Sequence, residues 1–115
     1  DFRFTAKLWR RFTHERVEAW TRQEAAAVKD GLAPLRESGR LDALLVQFPW
    51  SFRNDEPGRA WLADVRSAFE DFPLVVEVRH ESWNVPEVFA WLSAAAEFGG
   101  GLLLGLGRFF LPGGA

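Results

Sequence analysis

Two short apolar stretches decide the fold: residues 41–48 read LDALLVQF, and residues 74–79 read LVVEVR. Each is a nearly continuous apolar run of strand length. Pro49 ends the first run, and Pro73 precedes the second. Strands that are covered on both faces, as in a parallel sheet, have this composition, whereas strands with one wet face alternate. The two stretches therefore predict parallel strands inside an α/β fold.

A strand-like segment, a loop and a helical segment follow one another three times along the chain. The predicted strands cover residues 2–9, 41–48 and 74–79, and the predicted helices cover residues 21–37, 58–72 and 86–98. Short strands that alternate with helices at this spacing imply right-handed βαβ crossovers. We therefore predict an α/β fold of parallel βα repeats, about three βα units of a longer TIM-barrel-like fold, with an open sheet as the alternative.

The first predicted helix contains signals for and against continuity. Thr21 and Glu24 have the spacing of a capping box, which indicates that the helix begins here. Gly31 and Pro34 lie within the same segment and predict breaks. Gly39 is expected to end it.

Composition excludes several classes of protein. The chain has 115 residues, a net charge of −2 and no cysteine. Its basic residues are scattered, which disfavours a nucleic-acid partner. It has no apolar run long enough to cross a bilayer, so we expect no membrane partner and a cytoplasmic location. Without cysteine, its chemistry must use carboxylates, His, Lys, Arg or hydroxyl groups.

The ends of the sequence indicate a piece of a longer protein. No methionine is present, and residue 1 already lies within an alternating pattern. Residues 99–115 contain seven glycines and little charge. We interpret residues 1–98 as a fragment of a barrel-type domain and residues 99–115 as a Gly-rich tail of doubtful native structure. We expect the fragment alone to be inactive and either marginally stable or self-associating.

Polar residues lie at the carboxyl ends of all three predicted strands or in the loops that follow, where α/β folds bind their ligands. In the third strand the polar residues share one face, because Val76 and Val78 occupy the other. Charges in such a strand are costly unless they are paired. An ion pair with no other role is the competing explanation. The candidate residues are Lys7, His14, Gln47, Glu77, Arg79 and His80.

Four motifs, in order, give the sequence a resemblance to a known family. It resembles the YecE-like family, domain of unknown function 72, over about residues 2–98. The resemblance implies a TIM-barrel-like protein of roughly twice this length, and members are sometimes described as related to sugar isomerases. It also implies an aspartate near the end of the next strand, which residues 99–115 lack. The matching residues are Phe2, Phe4 and Lys7, then Thr13-His14, then 45–49 with Ser51-Phe52, and finally 77–80 with Ser82-Trp83.

These residues favour an enzyme that acts on a small polar substrate, sugar-like or phosphorylated, and the type of chemistry, isomerase-like or hydrolase-like, stays open. The expected catalytic groups are Glu77, as base or acid, with His14 or His80 as its proton-transfer partner. The expected substrate-binding residues are Lys7, Gln47, Arg79 and Trp83. The loop aromatic residues, Trp83 among them, either wall a pocket or wedge the helices onto the sheet.

The alternative is a non-catalytic module that binds a small anion or a nucleotide through the same residues. Metal binding by His14, His80 and Glu77 is less favoured, because no metal-ligand spacing supports it. A nucleic-acid enzyme would require a basic face, which this segment lacks. The sequence identifies no cofactor and no oligomeric state.

Overall fold

The computed structural model describes residues 2–95, 102–103 and 108–111. Short 3-10 turns at Arg10–Phe12 and Glu81–Trp83 follow the first and third strands. The strands are β1 (Phe4–Lys7), β2 (Leu41–Gln47), β3 (Leu74–Glu77), β4 (Leu102–Leu103) and β5 (Arg108–Leu111), and the helices are α1 (Arg22–Glu37), α2 (Glu56–Ala68) and α3 (Pro86–Ala95).

The strands form one sheet in the order β1-β2-β3-β5-β4. β1 pairs with β2, and β2 with β3, in parallel. Helices α1 and α2 connect these strands in chain order, which confirms the predicted parallel βα repeats. In such an arrangement the carboxyl ends of all three strands lie at one edge of the sheet.

The chain after α3 pairs differently. β5 is antiparallel to both β3 and β4. Only four residues separate β4 from β5, and a parallel connection needs a dozen or more, so this pair must be antiparallel. The predicted Gly-rich tail lies outside the described residues, except for residues 102–103 and 108–111.

The hydrophobic core lies on one face of the sheet. Leu44 and Val46 of β2 and Leu74 and Val76 of β3 are 2% exposed or less. Their alternation with less buried neighbours follows the strand period of two, as the sequence predicts. α2 covers this face with Leu62, Val65 and its other apolar residues. The opposite face carries the alternate residues of the strands.

Helix α1 is continuous from Arg22 to Glu37, so the predicted breaks at Gly31 and Pro34 are wrong. Pro34 costs the helix one backbone hydrogen bond, but both residues lie on its exposed side. Apolar residues on the other side pack against the core. This packing holds the helix together past both residues.

The two ends of α1 agree with the sequence. Thr21 and Glu24 form the predicted capping box. Gly39 adopts a positive φ of 72°, and the Arg40 amide donates to the Leu35 carbonyl. This is the hydrogen bonding of a Schellman motif, which requires the left-handed conformation that glycine adopts readily.

Helix α2 begins two residues before the predicted start. Asp55 caps it by accepting a hydrogen bond from the Gly58 amide at 2.8 Å. A Cβ atom on Gly58 would lie 2.1 Å from the Arg53 carbonyl oxygen. The turn into α2 therefore needs glycine at this position for reasons of space. Among the helices that the structure describes, none is long and apolar enough to span a bilayer.

Candidate functional site

A polar network lies at the carboxyl ends of β2 and β3, on the face opposite the core. Gln47 and Glu77 are neighbours in the parallel register. Gln47 Nε2 donates to Glu77 Oε2 at 3.4 Å, and Arg79 Nε lies 3.4 Å from Glu77 Oε1. The Glu77 side chain is 13% exposed, and that of Arg79 is 58% exposed. A mostly buried carboxylate thus meets a donor at each oxygen, beside a guanidinium that reaches solvent.

Lys7 belongs to the same face of the sheet. It ends β1 and is exposed. Its register partner is Leu45, which shares a strand face with Gln47 by the period of two. The structure therefore brings Lys7, Gln47 and Glu77 to one face of the sheet. Lys7 is level with Leu45, two residues before Gln47 along the strand direction.

His14 is positioned by the tight turn that follows β1. The amides of Thr13, His14 and Glu15 all donate to the Arg10 carbonyl, at 2.8 to 3.2 Å. The Thr13 hydroxyl lies 2.7 Å from His14 Nδ1. Thr13 is buried and His14 half-buried. The backbone and the neighbouring hydroxyl thus fix the imidazole at the edge of the sheet.

The electrostatic environment of His14 is positive. Burial lowers the pKa of its imidazole from the ordinary 6.5, and four nearby cations lower that pKa further: Arg10, Lys7, Arg16 and Arg79. At neutral pH the ring is therefore mainly neutral. Lys7 ends β1 and Arg79 follows β3, so cations from two strand ends act on this ring. Their combined charge favours an anion.

Arg16 joins the first two loops at this edge, and sequence reasoning missed it. Its guanidinium donates to the Thr13 carbonyl at 2.5 Å and to the Ser51 hydroxyl at 3.4 Å. It also lies 4.9 Å from the centre of the Phe52 ring. Burial lowers the pKa of Arg16, and Asp55 acts in the opposite direction. Loop residues follow no periodic pattern, so the sequence does not assign them to a face. The only signal for Arg10 and Arg16 was their positive charge in a loop that follows a strand.

His80 caps the 3-10 turn after β3. Its Nδ1 accepts from the Ser82 amide at 3.0 Å and lies 2.9 Å from the Ser82 hydroxyl. That hydroxyl in turn accepts from the Asn54 amide. A ring nitrogen that accepts from an N–H has no proton, so the neutral ring has its hydrogen on Nε2. Trp50 packs against the ring at 4.9 Å.

Trp83 lies in the core, where it has no access to the open face. It is 2% exposed and stacks on Phe52 at 5.1 Å. Its indole nitrogen donates to the Phe52 carbonyl at 2.8 Å. The structure therefore does not bring Trp83 to the other site residues, because its bulk fills the space behind the second loop. The tryptophans exposed after strand ends are Trp9, 50% exposed, and Trp50, 60% exposed.

Metal ligation receives no support from the arrangement of side chains. Within the described part of the chain, no group of three or more His, Cys, Asp or Glu residues could hold a metal ion. In particular, His14, His80 and Glu77 do not form one. The chemistry available from the described residues is that of a carboxylate, a neutral imidazole, an amide and several cations.

Parallel βα units with acid, amide and basic side chains at the carboxyl ends of their strands are typical of TIM-barrel-type α/β proteins. The chain belongs to the DUF72 family, as its motifs predict. The family model described as "Protein of unknown function DUF72" matches residues 1–97. No curated protein matches the chain.

Solved structures agree with this assignment. A DUF72 family protein from Thermotoga maritima is 29% identical, with a TM-score of 0.74, and the match covers 88% of this chain and 38% of that protein. Two structures of a DUF72 family protein from Enterococcus faecalis are 32% and 30% identical, each with a TM-score of 0.68. These matches cover 84% and 83% of this chain and 37% and 40% of the other. The chain thus spans less than half the length of these relatives.

Proposed function

We propose that the full-length protein is an enzyme that binds a small anionic substrate at the carboxyl ends of its strands and moves a proton on it. One observation carries the proposal: a half-buried imidazole and a mostly buried carboxylate lie at the carboxyl ends of the strands, where several cations also lie. A carboxylate and an imidazole are the commonest groups for general acid–base catalysis. The cations would hold a phosphate or carboxylate group of the substrate.

Glu77 is the proposed proton acceptor. Gln47 and Arg79 orient its carboxylate, and a general base must be positioned toward the proton it removes. Gln47 would also hold a hydroxyl or carbonyl group of the substrate. In this arrangement the carboxylate is already positioned to accept a proton when the substrate arrives.

His14 is the proposed proton-transfer partner of Glu77. Its lowered pKa keeps the ring neutral at pH 7, so the ring can donate its N–H proton to a substrate oxygen as Glu77 removes a proton from carbon. The ring regains a proton from the substrate when Glu77 returns its own to the product. Lys7 and Arg79 would bind the anionic group and stabilise negative charge as it develops. His80 uses Nδ1 within its own turn, so only its Nε2 hydrogen is available to a substrate, as a donor.

The test is the Glu77→Gln variant of the full-length protein, screened with the unmodified protein against small sugar phosphates and sugar acids. Glutamine has the same shape and cannot accept the proton. We expect turnover to fall at least about 1,000-fold, with substrate binding within a few-fold and an unchanged thermal midpoint. The Asp42→Asn variant, which changes an exposed carboxylate elsewhere, is the control. Full activity of the Glu77 variant would reject this role.

A non-catalytic module that binds small anions is the second candidate, and the four cations near His14 favour it. It predicts saturable binding of the same compounds without product, which the screen detects directly. For either candidate we propose a cytoplasmic location, because phosphorylated metabolites do not cross membranes unaided. Cell fractionation tests that location.

A further inference from the structure

A cleft of about 330 Å³ lies apart from the candidate site, between the loop before α1 and the side of α2 that carries Trp61 and Asp64. No residue of the candidate site contributes to its walls. Its volume is that of a site for a small molecule. The lining residues are Ala19, Trp20, Trp61, Asp64, Ser67 and Ala68.

Two tryptophan rings form the apolar part of the cleft, and both are anchored. The Trp61 indole nitrogen donates to the Phe12 carbonyl at 2.7 Å. Trp20 packs against the Phe12 ring, with the ring centres 5.4 Å apart. Both rings nevertheless stay half-exposed. They are therefore held in place without being covered.

Asp64 gives the cleft a negative charge. It follows Trp61 by three residues on α2, so the two side chains share a side of the helix. It is exposed, and it belongs to none of the ion pairs among the described residues. Those pairs are Arg3–Asp42, Arg11–Glu24 and Arg79–Glu77.

Two cations of α1 already lie over aromatic rings just after the end of α2. The Lys29 ammonium lies 5.9 Å from the centre of the Phe69 ring. The Arg36 guanidinium lies 5.4 Å from the centre of the Phe72 ring. Such contacts are attractive because the ring face is negative. The cleft offers the same ring chemistry with an added carboxylate.

We propose that this cleft binds a small organic cation of the alkylammonium class. The two indole rings contact its alkyl groups and attract its charge, and the Asp64 carboxylate balances that charge. A neutral molecule of the same shape would keep the apolar contacts and lose both electrostatic contributions. Charge therefore decides between ligands here.

The experiment compares choline with 3,3-dimethylbutan-1-ol, which has the same shape and no charge. Each is titrated into the full-length protein labelled with ¹⁵N, and the tryptophan indole N–H signals are followed by NMR. Trp20→Phe and Trp61→Phe variants assign the two signals. We expect choline to shift the Trp20 and Trp61 signals and to bind about tenfold more tightly than the alcohol.

Two variants separate charge from shape. Asp64→Asn should weaken choline binding about tenfold and leave the alcohol unchanged. Asp30→Asn, which removes an exposed charge from α1, should change neither. Equal affinity for the two compounds, no binding of choline, or choline binding that persists unchanged in the Asp64 variant would each overturn the proposal.

Discussion

At the scale of single residues, the Glu77 carboxylate is tolerated at the carboxyl end of β3 because donors reach both of its oxygens. Burial of an unpaired carboxylate costs several kcal/mol, about as much as a small domain can spare. Gln47 and Arg79 offset that cost. Because Arg79 is largely exposed and its contact is long, the pair leaves the guanidinium within reach of a bound anion. Structural pairing and anion binding are therefore compatible uses of Arg79.

The lowered pKa of His14 predicts how stability depends on pH. The unfolded chain takes up a proton at this residue near its ordinary value of 6.5, and the folded protein does so only at lower pH. The free energy of unfolding should therefore be highest above that value and decrease as the pH falls from it to the lower pKa of the folded protein. Urea unfolding of the full-length protein between pH 7.5 and 5 measures this decrease.

The His14→Gln variant is the reference, because it removes only this titration. The difference in unfolding free energy between the two proteins should shrink or change sign as the pH falls through that interval. A difference that is constant with pH would contradict the lowered pKa. Arg10→Gln, which removes one of the four cations, should raise the pKa of His14 in an NMR titration.

The sequence predicted the residues on the strands better than those in the loops. Alternation along a strand assigns a face to each residue, so the shared face of Lys7, Gln47 and Glu77 follows from the pattern alone. No such rule applies to Arg16, whose contacts depend on where the second loop lies. Trp83 was expected to bind substrate, but large aromatic rings near strand ends can also fill the core. Here the Trp83 side chain is buried in the core.

At the scale of elements, Arg11 holds the loop that carries His14. Its guanidinium pairs with Glu24 of α1 and donates to the carbonyls of Glu15, Glu18 and Ala19. Lysine has the same charge but lacks the planar fork. Arg11→Lys should therefore lower the free energy of unfolding by about 1 to 3 kcal/mol. Urea unfolding measures the change.

The matched control for this loop is Arg22→Lys, an exposed substitution at the start of α1, which should change stability by less than about 0.5 kcal/mol. Equal effects of the two substitutions would show that the fork of Arg11 contributes little.

Two glycines in helices should respond in opposite directions to alanine. Gly58→Ala places a Cβ atom 2.1 Å from the Arg53 carbonyl, so the loop before α2 must shift, at a cost of about 1 to 3 kcal/mol. Gly31→Ala meets nothing within 4 Å and should stabilise α1 by about 0.5 to 1 kcal/mol. Thermal unfolding of both variants tests the pair. Destabilisation by Gly31→Ala would contradict the continuous α1.

The same helix shows what sequence signals leave out. The ends of α1 follow from local chemistry, because the capping box begins the helix at Thr21 and Gly39 ends it, and both ends were predicted. The predicted interior breaks were wrong, because the outcome depends on how strongly the apolar side of the helix packs on the sheet. That packing involves residues far away in sequence, and a local pattern contains no information about it.

At the scale of the whole molecule, the sheet is covered unevenly. The helices pack on the face that carries Leu44 and Val46, whereas Leu45 and Val75 on the other face stay half-exposed. In a closed barrel that second face is the interior. The relatives are more than twice as long as this chain, so their further strands have the length needed to close it. The candidate site therefore lies on the face that closure would enclose.

This uneven coverage predicts that the 115-residue chain associates with itself when it is made alone. β1 ends the strand order, and within the described residues its outer edge is unpaired. Phe2 and Phe4, at this edge, are 79% and 42% exposed. Unpaired edges with apolar residues pair readily with other strands. We expect the mass by analytical ultracentrifugation to increase with protein concentration.

A charge on the edge strand should reduce that association, because a lysine on an edge strand disfavours further pairing. Thr5→Lys places one in the middle of β1, where the side chain is exposed. Ala26→Lys adds the same charge on the exposed side of α1 and should leave association unchanged. If both substitutions reduced association equally, net charge and not the position on β1 would explain the reduction. A monomer at all concentrations, with a sharp cooperative thermal transition, would show that the open edge and face are tolerated without a partner.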